Sequence, residues 1–356
     1  MIFIENMAEK KKQHFVPKLS LRLFSYYNDQ KRIGVFNVNS KIFIIDSPIS
    51  SQAQENYFYG EDAIIENALS RIEGEAGRIL KIIVNTQVLP KNNTEDYSNL
   101  FLFILMQAFR TKNSANQTDA SLDKFFQEII KRDESFAEYR DKGMHIAMKN
   151  SAAFTLAMLY KDIYAISDLS VKLILNETNQ KFISSDHPVI LYNQYLESRN
   201  QFGGHIGLYS KGLQIIYPIS PTISLFLYDS WAYKVGDKKK SVIEISNIDD
   251  INSLNYLQVL NCSKVVFFNQ DITQFYLEAL TKKTGELRDN DLFTLDEIKS
   301  TKTSIGDRSA TFIGHPTQRK IKLNLSFVTE TKKAKHYELD NFVVQVRNER
   351  MRYRID

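Results

Sequence analysis

The chain has 356 residues, 43% apolar and 25% charged, which are ordinary proportions for a globular protein with a sizeable core. Its single cysteine, Cys262, excludes an internal disulfide and a thiolate zinc cluster and points to a reducing cytoplasm. The net charge of +4 is too small to mark a nucleic-acid binder, but residues 301–356 carry 12 Lys or Arg against 6 Asp or Glu, leaving the other 300 residues at −2.

In chain order, a Lys10-Lys11-Lys12 run leads into Gln13-His14-Phe15-Val16-Pro17. Proline biases Val16 toward extended geometry and suits the first turn of a helix, so Lys18 to Phe24 is predicted as a short helix. Arg32 to Val38 and Lys41 to Ile45 form a predicted hairpin turned at Asn39-Ser40. Ile65, Leu69, Ile72, Ala76 and Ile79 give one apolar face to a helix from about Glu61 to Val84. Thr94 is the expected cap of a buried helix from Glu95 to about Thr111, and Asn113 to Asp119 is expected to break the chain before helices at Leu122 to Tyr139 and Met144 to Tyr160.

The pattern changes at Ser170. Val171 to Leu175 and Lys181 to Ser184 are expected to pair as a hairpin, and Gln214 to Pro218 with Thr222 to Tyr228 as another. Ile248 to Cys262 reads as helix, Lys264 to Phe268 as a buried strand and Asp271 to Thr281 as helix. A polar stretch from Gly285 precedes strand-like segments at Ile321 to Val328 and Asn341 to Val346. The fold class is α+β: a mainly helical first half packed with a mixed or antiparallel sheet in the second. The expected organisation is a globular domain over residues 12–284, helical to about 165 and strand-rich after, then a basic C-terminal extension over 285–356. The longest apolar run, Leu100 to Met106, is too short to span a bilayer, so no membrane role is expected.

Four groups carry potential chemistry. His14 stands beside the Gln13 amide. Glu66 and Glu73 lie two helical turns apart on one side of their helix, where they could hold a divalent ion or act as acid and base; ion pairing, as with Arg71, is the alternative. Gln107 and Arg110 share a face at the end of the most apolar helix, and a guanidinium there needs an anionic substrate or an internal carboxylate. In Ser184-Ser185-Asp186-His187-Pro188, Asp186 could bind metal or orient an imidazole such as His14, or simply shape the turn before Pro188. The other histidines, 145, 205, 315 and 336, lack metal-ligand spacing. No P-loop, GxSxG, HExxH or dinucleotide fingerprint occurs.

In order, QHFVP, ENALSRIE, LMQAFR, FISSDHPV, YPISP and INSLNYLQVLNCSKVVFF resemble a widespread bacterial family, a domain of unknown function with an N-terminal QHxxP and a later SDxPV motif. The resemblance covers roughly Lys12 to Gln270 and implies His14, Glu66, Glu73, Arg110 and Asp186 as the polar core. The family often has Asn at the place of His187, which argues against an essential imidazole there. It brings no settled activity.

From these residues the leading expectation is a phosphodiesterase-type hydrolase, a nuclease in anti-phage defence. Gln13, His14, Glu66, Glu73, Arg110 and Asp186 form its site, and Mg or Mn would sit on Glu66, Glu73 and Asp186. Lys332, Lys333, Arg347, Arg350 and Arg352 would guide nucleic acid. The alternatives are a non-enzymatic sensor or interaction protein built on the same polar residues, and a nucleotide-directed transferase. Folding the apolar neighbours of these residues into one core is expected to bring His14, Asp186, Arg110 and the two glutamates to a shared edge, because unpaired charges there would be costly.

Overall fold

A computed structural model describes residues 11–199, 201, 203–288, 291–299, 310–317, 320–339 and 345–347. The first half runs β1 (Lys12–His14), α1 (Lys18–Arg22), β2 (Arg32–Asn37), β3 (Phe43–Pro48), β4 (Gln54–Asn56), α2 (Ile64–Thr86), α3 (Glu95–Phe109), α4 (Lys112–Arg132), α5 (Ala137–Asp141) and α6 (Ser151–Leu159). The second half continues with β5 (Ser170–Asn176), β6 (Ser184–Ser185), β7 (Ile190–Tyr192), α7 (Gln194–Glu197), β8 (Gln214–Ser220), β9 (Ile223–Tyr228), β10 (Tyr233–Val235), β11 (Val242–Ile245), α8 (Ile248–Asn261), β12 (Val265–Phe268) and α9 (Gln274–Thr284). The last described elements are β13 (Phe293–Lys299), β14 (Ala310–Pro316), β15 (Val328–Glu330) and α10 (Lys332–Lys335). The class is α+β, as expected from the sequence.

Two sheets carry the core, one five-stranded in the order β11-β5-β9-β8-β7 and one four-stranded in the order β3-β2-β12-β6. Only the β11–β5 pair of these is parallel. The strands alternate with a period of two, so each sheet serves two cores. Ile174, Ile216 and Phe226 of the larger sheet join Ile33, Val35 and Phe267 of the smaller one. Leu173, Ile215, Tyr217 and Leu225 face the other way, onto Leu80 of α2, Ile104 of α3 and Leu156 of α6. Phe36, Val266 and Phe268 pack on Val259 of α8 and Leu277 of α9. The layers therefore run helices, sheet, sheet, helices, and each fully buried Phe, Leu or Ile contributes about 1.5–3 kcal/mol.

At Gly34 this packing leaves no room, because a Cβ would overlap the ring of Phe268. Gly34→Ala is expected to lower stability by about 1–3 kcal/mol through overpacking, measured by chemical denaturation; an unchanged midpoint would contradict the close approach.

Several boundaries differ from the sequence reading. Residues 113–119 form the first turns of α4, with Thr111 as the cap accepting from Ser114 N–H at 3.4 Å. Their Asn, Ser and Thr side chains read as loop, but Ser114 and Ala115 are buried. That segment is helix because it packs, against its local propensity. Asn150 caps α6, accepting from Ala153 N–H at 2.8 Å, so the helix starts at Ser151 and not at Met144. The helix expected to run to Tyr139 ends at Arg132 and resumes as α5.

The expected hairpin of residues 171–175 with 181–184 does not form. β5 pairs with β9 and β11, whereas β6 crosses to the other sheet and pairs with β12. The hairpin of β8 and β9 forms as expected. Beyond residue 285, β13 and β14 make a hairpin in the stretch read as polar loop, and of the 321–328 segment only Val328 is strand, at the start of β15. Residues 341–344 lie outside the described set, and Val346 bridges Ser210.

The described part of the C-terminal segment is packed on the preceding chain. Arg199 grips Glu330 at 2.9 and 2.7 Å, and Lys124 reaches Asp291 at 2.6 Å. Arg347 is tied to Asp168 and to the carbonyls of Ala165 and Ser210, so it is structural. Arg350 and Arg352 lie outside the described residues.

Candidate active site

Strand β1 pairs with β4, Gln13 opposite Glu55, and sends alternate side chains to opposite faces. Gln13 is fully buried. Its Oε1 accepts from Tyr59 N–H at 2.6 Å, and its Nε2 donates to the Gly60 carbonyl at 2.8 Å. This clamp grips the turn before α2, where Gly60 holds φ of 116°, a conformation that favours glycine.

Arg110 ends α3 and is 1% exposed. Its Nη1 donates to Glu73 Oε1 at 2.6 Å, its Nη2 to the His14 carbonyl at 2.7 Å, and its Nε to the Tyr59 hydroxyl at 3.1 Å. The Tyr59 hydroxyl in turn donates to the Arg110 carbonyl at 3.0 Å, fixing both ends of the residue. Burial pushes the Tyr59 phenol up to about 12, with Glu66 and Glu73 adding to the rise, so both carboxylates lie in its electrostatic neighbourhood. One turn earlier in α3, Gln107 Nε2 donates to the Phe15 carbonyl at 3.2 Å. Arg110 and Gln107 thus hold two successive carbonyls, those of His14 and Phe15.

That ring is what the clamp presents. Its pKa is lowered to about 4, first by burial, then by the charges of Lys18, Arg110 and Lys12. A bond from the ring to the Ser50 backbone acts in the opposite direction. A bond that raises a histidine pKa is one the ring donates to a carbonyl, which places the hydrogen on Nδ1. Nε2 is buried and has no hydrogen-bond partner among the described residues, so it carries a lone pair. His14 is therefore neutral near pH 7, with an uncommitted basic nitrogen in a positive field.

Asp186 has a different task. Its carboxylate accepts from the N–H groups of Ser263 at 2.8 Å, Lys264 at 2.8 Å and Val265 at 3.0 Å, the entry to β12. Burial pushes its pKa up, against those three donors and Arg288. Neighbouring main chain is held from α8, where Asn255, Gln258 and Asn261 recur every three residues. Asn255 holds Ile183 N–H and the Lys181 carbonyl, Gln258 holds Ser185 Oγ, and Asn261 holds the His187 carbonyl at 2.6 Å. His187 Nδ1 meets Thr111 Oγ1 at 2.5 Å.

The polar residues thus form two centres joined through Arg110 and its neighbour Thr111. Gln13, His14, Glu73 and Arg110 come together, with Glu66 at their edge; Asp186 belongs to the second centre, and its contacts are with the 263–265 backbone. The expected set of Glu66, Glu73 and Asp186 is not assembled as metal ligands, and among the described residues no group of three His, Cys, Asp or Glu is placed to hold a metal ion. Tyr59 and Thr111 were missed by sequence reasoning. Only the YFYG cluster before α2 pointed toward Tyr59, and nothing in the sequence ties Thr111 to His187.

His187 is 6% exposed, and burial alone lowers its pKa to about 4. Both depressed histidines bind fewer protons folded than unfolded, so stability falls as pH drops from the unfolded value of 6.5 toward 4 and the loss is complete below it. His187→Asn removes one of these groups. Its stability relative to wild type is expected to improve by roughly 2 kcal/mol between pH 7 and pH 5. Parallel denaturation curves across that range would rule out a depressed His187.

Among the described residues no helix is long and apolar enough to cross a membrane. No curated protein and no solved structure matches the chain. Residues 12–271 match a family described as a protein of unknown function, DUF4238. That span is well over half of the chain and contains both polar centres, so the protein belongs to the DUF4238 family.

Proposed function

We propose that this protein is a hydrolase of phosphodiester bonds, a nuclease, with His14 as general base. The observation that carries the reading is the neutral His14 ring, whose Nε2, without a partner among the described residues, sits in the combined field of Lys18, Arg110 and Lys12. A buried nitrogen left without a partner asks for an explanation, and perturbed histidines cluster at functional sites. A positive surround favours an anionic substrate such as a phosphodiester.

In the reaction, Nε2 takes a proton from water as its oxygen bonds to phosphorus. The bond to the leaving oxygen breaks, and the imidazolium returns the proton to that oxygen. Lys12 and Lys18 stabilise the added charge from the exposed rim. Arg110, fully buried and bound to Glu73, Tyr59 and the His14 carbonyl, is a positioning residue. Glu66 and Glu73, the carboxylates around Tyr59 and Arg110, are the ones nearest this centre that Mg or Mn would need. Glu73 is already paired and Asp186 is committed to backbone, so the residues do not fit a three-carboxylate site and no step runs through a metal. Bacterial cytoplasm and defence against phage are the setting we infer for such an enzyme.

Purified protein is expected to cleave at least one member of a panel of single- and double-stranded RNA and DNA. The rate should rise with pH through about 4, where His14 loses its proton, and level off above. An acid limb near 6.5 would remove His14 from the role. The sensor reading has its own support, since Gln13, Gln107 and Asp186 all bind main chain; it gains if the whole panel stays intact.

A further inference from the structure

A second cavity system lies apart from His14. A cleft of about 750 Å³ between α8, β7 and the C-terminal segment adjoins another of about 540 Å³ along α4 and α6. They share Gln117, Leu191, Ile206, Asn261 and Pro316 in their walls, and neither is lined by Gln13, His14, Glu73 or Arg110. The family match ends at residue 271, whereas Asp291, Leu292, Pro316 and Thr317 close one side. The space is therefore built between the family domain and the segment that follows it, a common place for small-molecule sites.

The smaller cleft is walled by Phe109, Phe154, Met158 and Leu208, with His187, Asn261 and an Asp162 carboxylate bonded by the Tyr209 hydroxyl among its polar groups. Thr111 Oγ1 accepts from Ser114 N–H and meets His187 Nδ1 at 2.5 Å, which leaves His187 Nε2 as the other ring nitrogen, a donor in one tautomer and an acceptor in the other. Asn261 gives its N–H groups to the carbonyls of His187 and Val189, which keeps its Oδ1 as an acceptor. A neutral imidazole nitrogen, an amide acceptor and the Gln117 amide among aromatic walls match the edge and faces of a heterocyclic base.

The larger cleft is cationic in effect. Lys41 and Arg288 line it, Lys41 donating to the Val38 carbonyl and Arg288 to the carbonyls of Val259, Cys262 and Ser263, and Arg288 lowers the Lys41 pKa after burial does. The carboxylates there are occupied: Glu197 accepts from Tyr192 and from Ile321 and Lys322 N–H, and Asp291 pairs with Lys124. An anionic group would relieve the like-charge contact.

We propose that the joined cleft binds a free nucleotide, its base between Phe109 and Phe154 against His187 and Asn261, and its phosphate toward Lys41 and Arg288. This stands independently of the hydrolase reading. The test is calorimetry on the full chain with the four ribonucleoside 5′-monophosphates, the matching nucleosides and inorganic phosphate. At least one nucleotide is expected to bind, its nucleoside about tenfold more weakly, and inorganic phosphate alone not measurably. Gln117→Leu and Lys41→Ala, at partly exposed and exposed positions, should each weaken nucleotide binding about tenfold, whereas His14→Gln should leave it unchanged. The inference is overturned by no binding at millimolar nucleotide, by equal affinity in both cleft variants, by loss of binding in His14→Gln, or by a single-stranded oligonucleotide that outcompetes the mononucleotide.

Discussion

Arg110→Met is expected to be among the most destabilising single substitutions in the chain, costing about 3–5 kcal/mol. Methionine fills most of the volume but makes none of the three bonds to Glu73, Tyr59 and the His14 carbonyl. The Glu73 side chain is 24% exposed and regains some water, but the Tyr59 hydroxyl is buried. Thermal unfolding should shift down by roughly 5–10 °C. Adding Glu73→Gln to Arg110→Met should recover part of the loss, because the uncompensated carboxylate is then gone. If Arg110→Met melts like wild type, the clamp on His14 does not exist as described.

The second large effect is at Asp186. Asp186→Ala leaves three backbone N–H groups without an acceptor where the chain enters β12, and about 4 kcal/mol of stability should go with them. Asp186→Asn separates this from a ligand role. Its amide offers one oxygen, and with that oxygen kept on Lys264 and Val265 its NH₂ group is set against the Ser263 N–H, donor facing donor. The Asn variant should therefore lose nearly as much as the Ala variant in chemical denaturation. A variant that kept full stability while losing only activity would make Asp186 a functional ligand after all.

These two residues show what could be read from the sequence and what could not. That Arg110 would need an internal carboxylate or an anionic substrate followed from the cost of an unpaired guanidinium at the end of an apolar helix, and Glu73 is the partner it has. The hairpin of β8 and β9 was legible because Ser220-Pro221 punctuates two apolar runs. Asp186 was not legible, because its partners are main-chain N–H groups that no side-chain identity announces. β6 is only two residues long and buried, so neither period nor length distinguished its sheet. Residues 113–119 were missed because polar, cap-forming side chains mask a helix that packing stabilises.

The most direct test concerns His14 alone. Tyr59, Gln107 and Arg110 bind the carbonyls of His14 and Phe15, Gln13 ties the strand to the 59–60 turn, and the His14 Nε2 binds nothing among the described residues. His14→Gln should therefore cost the fold only the bond from Nδ1 to the Ser50 backbone, about 1 kcal/mol, while removing the base. Cleavage of nucleic acid and thermal unfolding should be measured on wild type and His14→Gln in the same buffer at pH 7. The account predicts that cleavage falls at least a hundredfold while the melting temperature moves by no more than about 2 °C. Equal cleavage by both proteins, or a variant that melts many degrees lower, would contradict it.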